Sequence, residues 1–319
     1  MRDAIKNLNR QFAFQPKIEH KGTLRKYKKF LVCGMGGSRI PAEILKLLDP
    51  ELDVVVWNDY GTPSLPDLKD RLAIFMSYSG GTEEIIYGFR EAKRRKLRRA
   101  VIAVGGRLLE LAKKERVPYV AIPNTGIQPR MGTAFMMRAL MKLMGDEKGL
   151  RESGTLAKTL DAASFEAMGK RLALGLAGCV PVVYASRANT ALAWNWKIKM
   201  NETGKVPAFA NVFPEMNHNE MTGFDPVPST RPLVKPFHIV LLEDAADHPR
   251  IQLRMKVVRD LLRARGLRVT TVPVMGANKF LKVFSSLAYA DWTAFHLAMH
   301  YGAEADKVPM VEDLKKRLA

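Results

Sequence analysis

The chain has 319 residues, of which 47% are hydrophobic and 26% are charged. This composition is typical of a folded globular protein and excludes disordered and fibrous classes, and the length corresponds to about two ordinary domains. No apolar run reaches the roughly 18 residues that a membrane-spanning helix needs, and the N-terminus lacks the apolar core of a signal peptide. Two cysteines, Cys33 and Cys179, are too few for a disulfide scaffold. We therefore expect a cytoplasmic protein with no membrane partner.

The charge balance is strongly basic, with 51 Lys and Arg against 32 Asp and Glu and a net charge of +19. Such a field attracts polyanions and small anionic substrates. Much of it lies in two clusters, over residues 21–29 and 90–99. Neither cluster belongs to a recognisable nucleic-acid-binding motif with interleaved aromatic residues. A solvated basic face is therefore favoured over a nucleic-acid partner.

The first half of the chain alternates short buried strands with longer amphipathic helices. Predicted strands cover residues 29–33, 54–57, 72–77, 100–104 and 119–122. Predicted helices cover residues 40–48, 83–95, 107–114 and 131–144. This alternation indicates parallel βαβ units and a sheet covered on both faces.

The polar stretch 146–155 interrupts this alternation, and we place a domain boundary there, giving domains 1–150 and 151–319. A second cycle follows, with strands predicted over 180–184, 238–242 and 268–273. Helices are predicted over 189–204, 248–265 and 279–301. The sequence thus predicts an α/β protein of two domains with a weak internal duplication.

A glycine-rich turn, Gly34-Met35-Gly36-Gly37-Ser38, directly follows the first predicted strand. Glycines at this position let backbone amides approach an anion at the N-terminus of the next helix. The turn does not match the dinucleotide motif G-x-G-x-x-G, because Arg39 occupies the third glycine position, and it is not a Walker loop. Taken alone, it is also typical of an ordinary turn.

A second turn of this kind follows the strand 72–77, with three hydroxyl side chains around two glycines. One hydroxyl, from Ser79 or Thr82, could serve only as a helix N-cap, but three favour an anion site. Both turns lie at carboxyl ends of parallel strands, where ligands bind in open sheets. We therefore predict a site for a phosphate monoester, formed by Gly36, Gly37, Ser38, Ser77, Ser79 and Thr82.

The two turns together, GMGGS and SYSGGT, resemble the sugar isomerase (SIS) domain, a flavodoxin-like unit that binds phosphosugars. The segments 201–208 (NETGKVPA) and 215–220 (EMNHNE) resemble one branch of that superfamily, the bifunctional phosphoglucose/phosphomannose isomerases. The resemblance extends from Phe30 to the C-terminus. It implies an α/β fold of two flavodoxin-like SIS domains, each a mostly parallel sheet flanked by helices, with phosphosugar binding in the first domain.

The resemblance also implies a catalytic set in the second domain. Glu202 matches the family's enediol base, although a lone glutamate on a helix is more often a solvated surface charge. His218 matches the ring-opening histidine, which in the family reaches the active site of the partner subunit of a homodimer. Lys315 matches a lysine at the sugar ring, and the neighbouring Lys316 leaves the register of this match open.

Arg130 matches the family's arginine that stabilises the enediolate, with a structural salt bridge as the competing use. The chain departs from the family pattern at Gly81, where asparagine is common, and at Thr203-Gly204 after the Asn-Glu pair. Neither departure removes a required functional group, so the resemblance still implies activity.

We therefore predict an isomerase that interconverts glucose 6-phosphate, mannose 6-phosphate, or both, with fructose 6-phosphate through a cis-enediol. The reaction requires no redox cofactor. No metal is expected either, because His296 and His300 share a helix face but lack an obvious third ligand. The alternatives are an SIS isomerase for another sugar phosphate and a non-catalytic phosphosugar-binding regulator.

Overall fold

The computed structural model describes residues 1–318, which form two compact units. The N-terminal unit comprises residues 6–160, and the C-terminal unit comprises residue 161 onward together with residues 1–5. The short helix α1 (Arg2–Lys6) begins the chain. The division between the units falls about ten residues after the predicted one.

The N-terminal unit contains a sheet in which every pairing is parallel. Its strand order is β2-β1-β3-β4-β5, the order of flavodoxin-like folds. Its strands are β1 (Lys29–Gly34), β2 (Asp53–Trp57), β3 (Leu72–Met76), β4 (Arg98–Ala103) and β5 (Tyr119–Ala121). All five predicted strands of this half are confirmed.

The helices of the N-terminal unit are α2 (Ile40–Leu48), α3 (Glu83–Arg94), α4 (Gly106–Lys114), α5 (Thr133–Met144), α6 (Glu147–Gly154) and α7 (Leu156–Thr159). The polar stretch 146–155, predicted as a break, is mostly the helix α6. Its start is capped by the Asp146 carboxylate, which accepts from the Gly149 amide at 2.8 Å, and it buries Leu150 and Ser153.

The C-terminal unit repeats the arrangement with strand order β7-β6-β8-β9, again with every pairing parallel. Its strands are β6 (Val180–Ser186), β7 (Phe209–Phe213), β8 (Phe237–Glu243) and β9 (Arg268–Pro273). Its helices are α8 (Glu166–Leu176), α9 (Thr190–Glu202), α10 (Glu220–Gly223), α11 (Arg231–Val234), α12 (Pro249–Ala264), α13 (Lys279–His300) and α14 (Pro309–Leu318). The helices α8, α10 and α11 and the strand β7 were not predicted.

Each sheet is the centre of its own hydrophobic core. In the N-terminal unit, Phe75 of β3 packs edge-on against Phe89 of α3, with 5.6 Å between ring centroids. In the C-terminal unit, Tyr184 and Phe213 make a similar contact between β6 and β7. The strand order reverses between β1 and β3 and between β6 and β8, and ligands of such sheets bind at the carboxyl ends of these strands. Within residues 1–318, no helix has both the length and the apolarity that crossing a bilayer requires.

Candidate active site

The four predicted hydroxyl residues lie at the carboxyl ends of β1 and β3, in a group that we call the hydroxyl cluster (Ser38, Ser77, Ser79 and Thr82). The Tyr78 amide donates to the Ser38 hydroxyl at 3.2 Å, which ties the first turn to the second. The hydroxyls of Ser77 and Thr82 are 2.7 Å apart. The switch point of the first sheet is therefore lined by hydroxyl groups from both turns.

The hydroxyl cluster is held by backbone amides. Ser38 accepts from the Tyr78 amide, as described above. In the same way, the Ser77 hydroxyl accepts from the Gly80 amide at 3.0 Å, and the Ser79 hydroxyl accepts from the Gly81 amide at 3.3 Å. A hydroxyl that accepts such a bond keeps its own proton for another acceptor. The protons of Ser38 and Ser79, and one proton of the Ser77–Thr82 pair, are thus available to an anion.

Thr82 lies at the N-cap position of α3, but its side chain makes no capping hydrogen bond. Its hydroxyl is bonded to Ser77 instead, so the interpretation of Thr82 as only an N-cap is wrong. The first amides of the 12-residue helix α3 follow directly. The positive end of the helix dipole lies at these amides and favours the binding of an anion there.

The shape of the second turn depends on Gly80, whose φ is +72°. A Cβ atom at this position would lie 1.8 Å from the carbonyl oxygen of Gly105, a clash that excludes other residues. The Leu108 amide also donates to the Gly80 carbonyl at 2.9 Å. The hydroxyl cluster is therefore supported by the 105–106 turn, a contact that the sequence analysis missed although its paired glycines were visible.

Arg130 lies at the same edge of the first sheet. It belongs to the short 3-10 turn Pro129–Met131, just before α5, and is only 3% exposed. A Cβ atom on Gly37 would lie 3.2 Å from the Arg130 Cα, so the glycine lets this turn approach the first glycine-rich turn closely. Gly36 is exposed beside it. The structure thus brings together all the N-terminal residues of the predicted site.

Glu202 is the last residue of α9 and is half-buried. The helix ends there because the Thr203 and Gly204 amides both donate to the Lys199 carbonyl, at 2.9 and 3.0 Å. The ammonium group of Lys205 donates to the Glu202 carbonyl. The backbone that carries the Glu202 carboxylate is therefore fixed by several hydrogen bonds.

His218 and Lys315 lie on two other segments of the C-terminal unit, and both are exposed. His218 ends the 3-10 turn Glu215–His218, and Lys315 is in α14, which buries no residue. Across the part of the chain that the structure describes, no hydrogen bond or ion pair joins either residue to Glu202. Among the described residues of the C-terminal unit, no direct polar contact therefore links these three side chains.

The switch point of the C-terminal sheet is lined by two acidic groups and one hydroxyl, that of Ser186, which accepts from the Asn189 backbone amide at 3.2 Å. The Asn189 side-chain amide contacts Asp244 and Asp247, both at 3.3 Å, and Lys282 pairs with Asp244 at 2.7 Å. Burial raises the pKa of Asp247. A phosphate dianion would be repelled by these carboxylates. The second sheet therefore lacks a counterpart of the hydroxyl cluster at this position, which the sequence analysis did not foresee.

The His296 and His300 pair does not form a metal site. His296 stacks on Trp292, with 5.8 Å between ring centroids, and lies 3.6 Å from the Glu166 carboxylate. Residues 1–318 contain no group of three or more His, Cys, Asp or Glu side chains that could hold a metal ion.

The two parallel sheets and the hydroxyl cluster at the first switch point define a protein of the sugar isomerase (SIS) class. Residues 165–318 match the family model of the bacterial phospho-glucose isomerase C-terminal SIS domain. Over 303 residues the chain is 33% identical to the bifunctional phosphoglucose/phosphomannose isomerase of Aquifex aeolicus (strain VF5), covering 92% of each chain. It therefore belongs to the bifunctional phosphoglucose/phosphomannose isomerase family.

A second relative and a solved structure are also similar to this chain. The bifunctional phosphoglucose/phosphomannose isomerase of Caldicellulosiruptor bescii is 31% identical over 309 residues, covering 91% of this chain and 89% of the relative. Among solved structures, glucosamine-6-phosphate deaminase from Thermotoga maritima matches with a TM-score of 0.69 and 15% identity, over 96% of this chain and 95% of that one. The structural match shows the shared fold.

Proposed function

We propose that the chain interconverts glucose 6-phosphate and mannose 6-phosphate with fructose 6-phosphate. The two aldoses differ only at carbon 2 and share one cis-enediol, so one base can serve both. The observation that carries the proposal is the hydroxyl cluster at the first switch point, in a chain that belongs to this isomerase family. Neither step of the reaction requires a redox cofactor or a metal.

In this proposal the phosphate group of the substrate is held by the hydroxyl cluster and the N-terminus of α3. The available hydroxyl protons and the helix amides donate to the phosphate oxygens, and charge-assisted bonds of this kind are the stronger ones. The excess of basic residues also raises the encounter rate of a dianionic substrate. Binding of the phosphate group also positions carbons 1 and 2, at the opposite end of the sugar, where the reaction takes place.

The chemistry at the other end of the substrate needs two steps, ring opening and isomerisation. His218 would donate a proton to the ring oxygen and accept the proton of the hydroxyl group at carbon 1, which gives the open-chain aldose. Glu202 would then take the proton from carbon 2 and return it to carbon 1, with the cis-enediol as intermediate. The half-burial of Glu202 agrees with a base at this step.

Two cations complete the proposed set. Arg130 would stabilise the negative oxygen of the enediolate, because a guanidinium is a fixed cation that stays charged. Lys315 would lie at the sugar ring, with Lys316 as the alternative. The near-complete burial of Arg130 beside Gly37 supports a fixed position for its backbone.

We further propose a cytoplasmic homodimer in which His218 enters the active site of the second subunit. Within the described chain, His218 is exposed and α14 buries no side chain, although Met310, Val311, Leu314 and Leu318 are exposed apolar residues of that helix. Exposed apolar patches of this kind mark interaction sites.

A coupled assay tests the function. Glucose 6-phosphate and mannose 6-phosphate are each supplied, and fructose 6-phosphate is measured. We expect product from both aldoses. Turnover of only a different sugar phosphate would favour another SIS isomerase, and binding without turnover of any sugar phosphate would favour the regulator.

Replacing Ser79 by alanine should raise KM for the hexose phosphate by about 10- to 100-fold with kcat nearly unchanged. The lost bond is to a charged group, which is worth about 1.5–3 kcal/mol, and it acts equally on bound substrate and transition state. Steady-state kinetics measure the effect. Ser229→Ala, at an exposed serine of the C-terminal unit, is the matched control. An unchanged KM in the Ser79 variant would remove it from the phosphate site.

Mixing two inactive variants, Glu202→Gln and His218→Gln, should restore activity if subunits share their sites. In a mixed dimer one of the two sites combines an intact Glu202 with an intact His218 from the other chain. After random exchange of subunits we expect about a quarter of the wild-type activity. Activity is assayed after the two variants are unfolded and refolded together. No recovery in verified mixed dimers would mean that each subunit supplies both groups itself.

A further inference from the structure

Arg138 of α5 is a buried cation without an acidic partner. Its side chain is only 1% exposed. The guanidinium donates to the carbonyl oxygens of Phe14 at 2.7 Å and Leu150 at 2.9 Å, and to the Ser153 hydroxyl at 2.8 Å. All three acceptors are neutral. Within residues 1–318, no carboxylate forms an ion pair with this guanidinium.

The guanidinium of Arg138 is a buried positive charge that no negative charge among the described residues neutralises in an ion pair. Burial lowers the pKa of Arg138, but arginine stays protonated at neutral pH, so its charge is retained inside the unit. Taking a charge out of water is unfavourable unless an opposite charge compensates for it. The bonds to Phe14, Leu150 and Ser153 use only Nε and Nη1. The N–H groups of Nη2 therefore donate to no acceptor among the described residues.

Arg138 lines an open pocket of about 530 Å³ in the N-terminal unit, which we call the basic pocket. Small-molecule sites have volumes of this order. Its other charged lining residues are Lys142, Arg151, Lys158 and Glu147. Glu147 is paired with Lys142 at 2.6 Å, whereas Arg151 and Lys158 have no ion-pair partner among the described residues. The pocket therefore has a strong excess of positive charge.

Gly154 lies between the basic pocket and the buried guanidinium of Arg138. This residue also lines the pocket, and a Cβ atom on it would lie 3.6 Å from Nη1 and 3.9 Å from Nη2 of Arg138. A longer side chain at position 154 would therefore occupy the space beside the terminal nitrogens. With glycine there, no side chain at position 154 separates the pocket from the Arg138 guanidinium.

We propose that the basic pocket binds a small, multiply charged phosphate compound. The planar N–H donors of a guanidinium match the oxygens of phosphate. Three cations that lack carboxylate partners favour a ligand with more than one negative charge over a single carboxylate. None of the residues lining this pocket belongs to the hydroxyl cluster. It is thus a second anion site, independent of hexose phosphate turnover.

Calorimetric titration of the full chain with pyrophosphate, at constant ionic strength, tests the proposal. We expect the double variant Arg151→Gln/Lys158→Gln to bind one pyrophosphate fewer per chain than the wild type. The matched control is Lys69→Gln/Arg90→Gln, which removes the same charge from exposed positions outside the pocket and should bind as the wild type does. Arg138 is left intact in both variants because its hydrogen bonds support the fold.

A second variant, Gly154→Val, fills the space beside Arg138 without changing the charge, and it should also lose one site. The proposal is overturned if Arg151→Gln/Lys158→Gln binds as many pyrophosphate ions as the wild type, or if the control loses a site as well. The phosphate site at the hydroxyl cluster is tested separately by Ser79→Ala/Thr82→Ala. Loss of the pocket site leaves that result unaffected, so the two proposals can fail independently.

Discussion

Replacing Glu202 by glutamine should lower kcat by about a thousandfold for both aldoses, with KM nearly unchanged. A positioned general base contributes about 10²- to 10⁴-fold, and the amide keeps the size of the carboxylate but cannot carry a proton. The group acts mainly in the transition state, so ground-state binding should survive. Coupled assays with saturating substrate measure kcat, and substrate-dependence curves measure KM.

The same variant tests the path of the proton. A base that shuttles a proton through a cis-enediol exchanges part of it with solvent, so the wild type should incorporate deuterium at carbon 2 in D2O, and Glu202→Gln should not. Glu110→Gln is the matched control, since Glu110 is an exposed residue of α4 that pairs with Arg107. Loss of substrate binding with an intact turnover number would contradict the proposed role.

The strands and helices that were predicted correctly are those with a clear apolar period. The segment 72–76 is buried at every position, so its continuous apolar run was enough to identify a central strand. The strand β7 was missed because its burial is uneven: Phe209 is 56% exposed, whereas Phe213 is fully buried. An edge strand of this kind shows no simple alternation of buried and exposed residues, so its pairing with β6 is what defines it.

The helix α6 was missed for a different reason. Its polar sequence was interpreted as a break, but the Asp146 cap and the burial of Leu150 and Ser153 stabilise it as an amphipathic helix. The cap residue was visible in the sequence. The bonds between Arg138 and this helix were not, because they depend on how α5 and α6 pack together.

For the candidate site, the sequence identified the hydroxyl residues through their place after strands. It did not predict that Gly80 packs against Gly105, because that contact joins turns after two different strands. Nor did it predict the acidic switch point of the C-terminal unit, where Asn189, Asp244 and Lys282 come from three distant segments. Local patterns located the hydroxyl residues, whereas the acidic groups at the switch point of the second sheet depend on tertiary packing.

The helix that carries Glu202 is joined to α13 by a buried ion pair. Lys199 is 3% exposed and Asp291 is 2% exposed, and the ammonium group donates to the Asp291 carboxylate. Within the described residues, no second carboxylate pairs with Lys199. Removing one member of such a pair leaves an uncompensated buried charge, which typically costs 3–5 kcal/mol.

Asp291→Leu should therefore destabilise the C-terminal unit by about 3–5 kcal/mol, which corresponds to a loss of roughly 10 °C in Tm for a unit of this size. The double variant Lys199→Met/Asp291→Leu should recover most of the loss, because well-packed apolar side chains can replace a buried ion pair. Calorimetric unfolding of the full chain measures both. Asp225→Leu removes an exposed partner of Arg265 at 2.6 Å and should cost at most about 1 kcal/mol. If Asp291→Leu were no more harmful than Asp225→Leu, the ion pair would not be what stabilises the end of α9 where Glu202 lies.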